Sequence, residues 1–344
     1  MQQTATAAIA ITCQAASTAR PYPRTSELWH ARAVDTSLRD LLPGLPSEDV
    51  RRLERLPCLA GTTELAPLPG GITNRNYKAV TPRGTFVVRL SEADSSLLAI
   101  DRVHEHRNSL AAAYAGAGAP VIDYLHGEGA LVVGFLEGRT WTEEDVRRPE
   151  NLPRAAEACR RLHAGPRFAG EFNMFDIQAG YLAICRERGF RLPARYEEFL
   201  PVVDRMRTAM SLVPEPTVPC NNDLLARNFI DAGDRIWIID YEYSGNNEAS
   251  FELANIWSES TLPLDMLEPL VTAYWGRPDP AKVARARLWG LMSQYGWTLW
   301  ASIQASVSPI DFDFWDWGME KYERALATFD GPDLEGLLEA VAGR

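Results

Sequence analysis

The sequence contains little that would indicate a zinc site, a membrane span or a nucleic-acid partner. Its five cysteines are scattered, and none falls in a Cys-x-x-Cys or Cys/His spacing, so a zinc site is not predicted and a reducing, cytoplasmic setting is expected. No apolar run approaches the roughly 18 residues of a membrane span. The net charge of −11 disfavours nucleic acid and anionic membranes as partners, and it fits a cationic substrate.

The N-terminal segment is the part of the chain with the fewest structural signals. Residues 4–18 are rich in Ala and Thr but lack the basic start of a signal peptide, so residues 1–25 are expected to form a disordered tail. The 344 residues that make up the chain are enough for two lobes with cores of their own. We find no internal repeat and no low-complexity linker, and nothing in the sequence indicates an oligomeric state.

The order of patterns along the chain predicts an α+β fold with two lobes. Residues 65–90 are typical of strands and turns, residues 97–115 of a helix, and residues 121–135 of two further strands. A hinge is expected at residues 136–138, and the chain beyond residue 142 is mainly helical. We therefore predict an N-terminal lobe over residues 26–136, with a small antiparallel sheet, and a mainly helical lobe over residues 137–344.

The strongest chemical signal is a set of three polar residues around a short hairpin. Asp223 is followed five residues later by Asn228, and Asp240 ends the apolar strand that comes next. This spacing is that of the kinase catalytic loop and its downstream metal-binding aspartate. Asp223 is the candidate general base, and Asn228 and Asp240 are the candidate Mg²⁺ ligands, which predicts phosphoryl transfer from a nucleotide.

Upstream residues can form the phosphate-binding part of such a site. Gly70 and Gly71 belong to a turn that also contains Asn74, and glycines let backbone N–H groups approach phosphate oxygens. Arg89 ends a strand, from which a cation could reach the phosphates, and Glu105 on the following helix is its natural ion-pair partner. Each of these signals is weak alone; their order along the chain is what favours a nucleotide site.

Aromatic residues concentrate in the C-terminal part of the chain. Eight of the ten tryptophans fall between Trp237 and Trp317. Trp297 and Trp300 share one helix face with Trp289, because positions 289, 293, 297 and 300 follow one another at intervals of three to four residues. Part of this stripe must form the core of the lobe. Alternatively, the rings of this stripe form an aromatic box that binds an ammonium group by cation–π attraction.

The motifs together resemble those of the choline/ethanolamine kinase family, within the wider group of aminoglycoside-phosphotransferase-like proteins. Residues 220–228 are similar to the family pattern C-H-N-D-x-x-x-x-N, and residues 240–247 to D-x-E-Y-x-x-x-N. Residues 251–259 are similar to F-D-x-x-N-x-F-x-E, and residues 297–305 to W-G-L-W-x-x-x-Q-A. The resemblance extends from about residue 68 to residue 329 and implies a bilobal, protein-kinase-like fold. It implies that the lobe over residues 26–136 binds the nucleotide and that the lobe over residues 137–344 is catalytic and binds the substrate.

The resemblance also implies a function: ATP- and Mg²⁺-dependent phosphorylation of a small cationic alcohol, with choline the first expectation. It implies that Asp223 is the base, that Asn228 and Asp240 hold Mg²⁺, and that Gly70, Gly71, Asn74, Arg89 and Glu105 form the ATP site. The acceptor ammonium would be surrounded by four residues: Tyr243, Glu259, Trp297 and Trp300.

Three departures from the family pattern bear on the function. Asn221 stands where the family has histidine, Glu252 where it has aspartate, and Ala226-Arg227 replaces a pair that commonly contains Gly or Pro. Two alternatives therefore stay open. One is a kinase of another hydroxyl compound, such as an aminoglycoside, ethanolamine, homoserine or thiamine. The other is a pseudokinase that binds nucleotide without turnover.

Overall fold

The first part of the chain combines a small sheet with short helices. The computed structural model describes residues 37–68, 74–91 and 96–343. The elements up to residue 134 are α1 (Leu38–Leu41), α2 (Ser47–Glu54), β1 (Glu64–Leu68), β2 (Asn74–Thr81), β3 (Gly84–Ser91), α3 (Arg102–Tyr114), β4 (Val121–Leu125) and β5 (Ala130–Gly134).

The five strands form one antiparallel sheet in the order β1-β2-β3-β5-β4. Alternate residues of β2 and β3 point to one face, as the two-residue period of a strand requires, and this face buries Tyr77, Ala79, Phe86 and Val88. These residues belong to a hydrophobic cluster that also contains Leu53 of α2. The sheet is therefore held by a core of its own.

The remainder of the chain is mainly helical. Its helices are α4 (Glu143–Val146), α5 (Leu152–His163), α6 (Met174–Arg188), α7 (Leu200–Leu212), α8 (Ala249–Glu259), α9 (Leu267–Trp275), α10 (Pro280–Val307), α11 (Phe314–Phe329) and α12 (Asp333–Val341). The central helix, α10, packs against α6, α8 and α11. Its start is well defined, because the Asp279 side chain accepts the Lys282 N–H and Pro280 occupies the first position.

Short strands interrupt these helices and carry the loops of interest. They are β6 (Arg139–Thr140), β7 (Thr217–Cys220), β8 (Phe229–Asp231), β9 (Ile236–Ile238) and β10 (Gly245–Glu248). Strands β8 and β9 form the predicted hairpin. Strand β10 pairs antiparallel with β7, with Gly245 opposite Cys220. The loop that leaves β7 and the loop that enters β10 therefore lie side by side.

The prediction of an α+β fold with a small antiparallel sheet and a mainly helical part is confirmed. Helix α3 begins at Arg102 rather than Leu97, because the Asp101 side chain accepts two N–H groups of its first turn. The division at residues 136 and 137 stays a prediction. Among the described residues, none of the helices is long and apolar enough to cross a lipid bilayer.

Candidate active site

A cavity of about 400 Å³ brings together most of the side chains predicted to be functional. Its wall contains polar side chains from the two loops and from β3: Arg89, Asp223, Asn228, Asp240 and Glu242. It also contains a group of mainly aromatic side chains: Tyr243, Glu259, Trp297, Trp300 and Trp317. Apolar side chains of the sheet, including Val87, Leu131 and Val133, complete the wall. Residues far apart in the sequence therefore share one chamber.

The loop after β7 folds back so that Asp223 and Asn228 are neighbours. The Asn228 side-chain Nδ2 donates to the backbone carbonyl of Asp223 at 2.6 Å, and the Leu225 N–H donates to the same oxygen at 3.0 Å. This arrangement explains the five-residue spacing, because one tight turn separates the two side chains. The amide oxygen of Asn228 remains available for another partner.

Glu252 on α8 fixes the start of this loop. Its two carboxylate oxygens accept the N–H groups of Asn221 at 2.7 Å and Asn222 at 2.9 Å, and the side chain is fully buried. Behind it, the His163 ring lies 3.8 Å from Glu252 and its Nδ1 lies 2.7 Å from the Tyr274 hydroxyl. The longer side chain at position 252 therefore still reaches the loop.

Asn221 connects the two loops. Its side-chain Nδ2 donates to the backbone carbonyl of Asp240 at 2.7 Å, and its Oδ1 accepts the Asp223 N–H at 3.1 Å. Asn222 and Asp240 both have a φ of +67°, in the left-handed region where Asn and Asp are the better tolerated non-glycine residues. The asparagine that departs from the family pattern thus links the backbones of Asp223 and Asp240.

Arg89 lies at the centre of a buried network of charges. Its guanidinium donates to Glu105 at 2.7 Å and forms an ion pair with Asp240. Burial alone would lower the pKa of Arg89, but Asp240, Glu105 and Glu242 raise it above its usual value. The predicted partnership of Arg89 with Glu105 is present in the structure, and Asp240 joins it.

Asn74 lies at the edge of this network rather than in the cavity wall. Its Nδ2 donates to Glu242 at 2.9 Å, and its Oδ1 accepts from Arg102 at 3.2 Å. Its proposed position over the phosphates stays a prediction. Gly70 and Gly71 lie outside the described residues.

Asp223 is in an environment that favours its proton-bearing form. Burial raises the pKa of its carboxyl well above the usual value, and the negative charges of Asp240, Glu259 and Glu242 add to this effect, while Arg227 opposes it. A carboxylate with a raised pKa is a stronger proton acceptor. The Asp223 carboxylate is therefore suited to accept a proton from a hydroxyl group in the cavity.

The residues around Asp240 have donor atoms that fit Mg²⁺. This ion prefers carboxylate and amide oxygens, which Asp240 and Asn228 supply. The Oδ1 atom of Asp240 is buried and its ion pair is with Arg89. Glu242 brings a further carboxylate into the cavity wall, beside those of Asp223, Asp240 and Glu259. It lies within the D-x-E-Y pattern, which did not indicate a role for it. Burial, followed by the charge of Asp240, raises the pKa of Glu242.

Aromatic rings form the other part of the wall. The ring centroids of Tyr243 and Trp297 are 5.0 Å apart, and those of Trp300 and Trp317 are 5.6 Å apart. The Trp300 Nε1–H donates to the Tyr243 hydroxyl at 2.7 Å. Trp289, from the same stripe of α10, instead donates to Glu248 and packs on Phe175 in the core.

Two residues of this region were missed by sequence analysis. Trp317 belongs to α11 and lines the cavity. Lys321, one turn later on the same helix, forms a buried ion pair with Glu259 at 2.5 Å. No local sequence pattern marks either residue as part of the site, apart from the general concentration of tryptophans.

The chain is similar to characterised phosphotransferases over most of its length. The model of the phosphotransferase enzyme family (APH) matches residues 64–289. A probable ethanolamine kinase of Arabidopsis thaliana is 26% identical over 280 residues, which cover 71% of this chain and 74% of the relative.

Solved structures give the same result. A choline/ethanolamine kinase family protein from Mesorhizobium loti has 31% sequence identity and a TM-score of 0.76, covering 86% of this chain and 98% of that one. A structure of LicA in complex with AMP has 22% identity and a TM-score of 0.64, covering 78% and 93% of the two chains. This chain therefore belongs to the phosphotransferase enzyme family and, within it, to the choline/ethanolamine kinase family.

Proposed function

We propose that this protein transfers the γ-phosphoryl group of ATP, in a Mg²⁺-dependent reaction, to the hydroxyl of choline or a related small amino alcohol. One observation carries the proposal: a half-buried carboxylate with a raised pKa, Asp223, shares a cavity with the aromatic rings of Tyr243, Trp297 and Trp300. An acceptor with a hydroxyl at one end and an ammonium at the other needs both features at once.

Asp223 acts on the acceptor. The hydroxyl oxygen of the acceptor attacks the γ-phosphorus, and its proton passes to the Asp223 carboxylate. The bond between the γ-phosphorus and the β,γ-bridging oxygen breaks, and ADP leaves with that oxygen. The backbone contacts to Asn228 and Asn221 hold this carboxylate in place while the acceptor moves in and out. Orientation of the attacking hydroxyl is the main contribution that a protein can make to phosphoryl transfer, beyond stabilising charge.

Arg89 and the neighbouring acidic residues act on the nucleotide. The Arg89 guanidinium contacts the phosphates, and Glu105 keeps it extended from β3 toward the cavity. Asn228 and Asp240 would hold Mg²⁺, and Glu242 lines the same cavity. The bound ion would neutralise charge on the phosphate oxygens. The AMP complex of the related LicA supports a nucleotide site in this fold.

The structure argues against the pseudokinase hypothesis, whereas it leaves other acceptors as alternatives. The pseudokinase hypothesis relied on Asn221 and Glu252, yet both residues make the contacts that hold the catalytic loop. Turnover is therefore the better proposal. Aminoglycosides, homoserine and thiamine remain alternative acceptors, because the aromatic rings can accept any organic cation of suitable size.

A panel of acceptors tests the proposal. We would measure ADP release from Mg–ATP with choline, ethanolamine, kanamycin, homoserine and thiamine, each with and without excess chelator. We expect choline or ethanolamine to give the highest kcat/KM and the chelator to stop the reaction. A preference for kanamycin, homoserine or thiamine would contradict the acceptor class. Nucleotide binding without ADP release from any compound would favour the pseudokinase.

A further inference from the structure

An ammonium group of the protein itself contacts two residues that line the acceptor region of the cavity. The Lys321 Nζ lies 2.5 Å from a carboxylate oxygen of Glu259 and 4.2 Å from the ring centroid of Trp317. Both partners line the cavity. A carboxylate and an aromatic face are the two contacts expected of an acceptor ammonium, and at this position Lys321 makes both.

The pair is closed to solvent. The side chains of Lys321 and Glu259 are only 3% and 2% exposed. A buried carboxylate without a partner would attract any cation in the adjacent cavity strongly, because the local dielectric is low. The Lys321 ammonium, in contact with one Glu259 oxygen, opposes that attraction. The remaining acidic groups that line the cavity are Asp223, Asp240 and Glu242, the first two of which are assigned to phosphoryl transfer.

Stability gives no sufficient reason for a charged pair at this position. Replacing a buried ion pair with apolar residues of similar volume is often neutral or stabilising, whereas removing one partner is costly. The chain offers a similar pair elsewhere for comparison. Lys282 lies 2.8 Å from Glu215 and 5.1 Å from the Trp275 ring, outside the cavity wall.

We propose that Lys321 is a specificity-determining residue of the acceptor site, because it neutralises Glu259 in advance. The inference rests on the proposed function, in which the acceptor is an amino alcohol. The acceptor ammonium is then bound by the ring faces of Tyr243, Trp297 and Trp300, and Glu259 is not its anionic anchor. The site consequently discriminates less between a cationic acceptor and a neutral one of the same shape than the family motif alone implies.

The test compares choline with 3,3-dimethylbutan-1-ol, a neutral compound of nearly the same shape. Binding of each is measured by calorimetry, in the presence of Mg²⁺ and a non-hydrolysable ATP analogue. The ratio of the two affinities reports how much the acceptor charge contributes. The variants are Glu259→Gln, Lys321→Met and the double variant with both changes.

The double variant decides the question, because it leaves no buried charge without its partner and does not depend on the folding of either single variant. We expect its affinity ratio to stay within about threefold of the wild-type ratio. The single variants are expected to move the ratio in opposite directions, each by about tenfold: Lys321→Met upward and Glu259→Gln downward. A double variant that loses choline preference by tenfold or more would overturn the inference, since Glu259 would then be the anchor.

A matched control and the wild-type result distinguish a failure of the Lys321 inference from a failure of the proposed acceptor class. Lys282→Met removes a lysine with similar partners and should leave the ratio unchanged. If wild-type protein phosphorylates choline but the double variant loses the preference, only the role of Lys321 is wrong. If wild-type protein binds neither compound, the proposed acceptor class is wrong and the role of Lys321 is wrong with it.

Discussion

The two groups of side chains that line the cavity are held in place by different kinds of contact. Around Asp223 and Asp240, hydrogen bonds between side chains and backbone fix two short loops, with Asn221 and Glu252 making the main contacts. Around Trp297, packing of aromatic rings dominates, and polar contacts include the Trp300–Tyr243 hydrogen bond and the ion pair of Glu259 and Lys321.

This difference suggests a division of tasks between the regions. Hydrogen bonds to backbone fix position and direction closely, which phosphoryl transfer requires. Aromatic faces accept cations over a range of positions, so a site built from them can change its acceptor through a few substitutions. We therefore expect changes in the first region to affect kcat and changes in the second to affect KM for the acceptor. The following predictions test that separation.

The largest expected effect is a loss of kcat in Asp223→Asn. The amide cannot accept the hydroxyl proton, so kcat should fall by about 10³-fold, while binding of the nucleotide persists because the residues predicted to contact it are unchanged. Steady-state kinetics and nucleotide titration would measure both quantities. A kcat within tenfold of wild type, in a variant with unchanged thermal unfolding, would show that Asp223 is not the base.

The next largest effect is a loss of stability on replacing Glu252, which holds the loop that carries Asp223 and does not contact the substrates itself. Replacing it with Ala leaves two buried N–H groups without an acceptor, and we expect a loss of about 3 kcal/mol in the free energy of unfolding. Urea unfolding would measure it. Glu252→Asp, which restores the residue of the family pattern, is the matched control and should lose less than half as much. Equal losses for both variants would mean that the carboxylate does not fix the loop.

Trp297→Ala tests the aromatic region. Removal of this ring face should raise KM for the acceptor by about tenfold and leave KM for ATP within about twofold of wild type. Trp289→Ala on the same helix is the control, since this ring packs in the core and should alter stability but neither KM. An equal rise in both KM values for Trp297→Ala would show that the two regions are not separate.

The smallest expected effect is a shift in the pH dependence of kcat/KM. The pKa of Asp223 is raised, so activity should be lost as the pH falls through that raised value, because the protonated carboxyl cannot accept a proton. Arg227 lowers this pKa, and Arg227→Met should therefore move the acidic limb of kcat/KM to higher pH. Arg235→Met, on the exposed β8–β9 turn, should leave the limb in place. A shift to lower pH in Arg227→Met would contradict the electrostatic account of the base.

The parts of the site that the sequence predicted are those with local signals. Asp223 and Asn228 are five residues apart in one turn, and Asp240 ends the apolar segment that follows. Their spacing along the chain was therefore enough to predict that they belong to one site. The partnership of Arg89 and Glu105 spans 16 residues, from a strand to the helix after it. Their roles in catalysis stay predictions, although their positions in the structure are consistent with them.

The parts that the sequence did not predict depend on tertiary contacts. Lys321 lies 62 residues after Glu259, and only the packing of α11 on α10 and the end of α8 brings the two together. The pairing of β7 with β10 was also missed, because Pro219 and the consecutive asparagines Asn246 and Asn247 are not typical of strands. That pairing is nevertheless what sets the two functional loops side by side.

The proposed acceptor class can be tested in one competition experiment. Wild-type protein is incubated with Mg–ATP and an equimolar mixture of choline, ethanolamine and kanamycin, and the products are identified by ³¹P NMR. The account predicts that nearly all transferred phosphate appears as the phosphomonoester of choline or ethanolamine. Phosphate found mainly on kanamycin, or ADP formed without any phosphorylated amino alcohol, would contradict it.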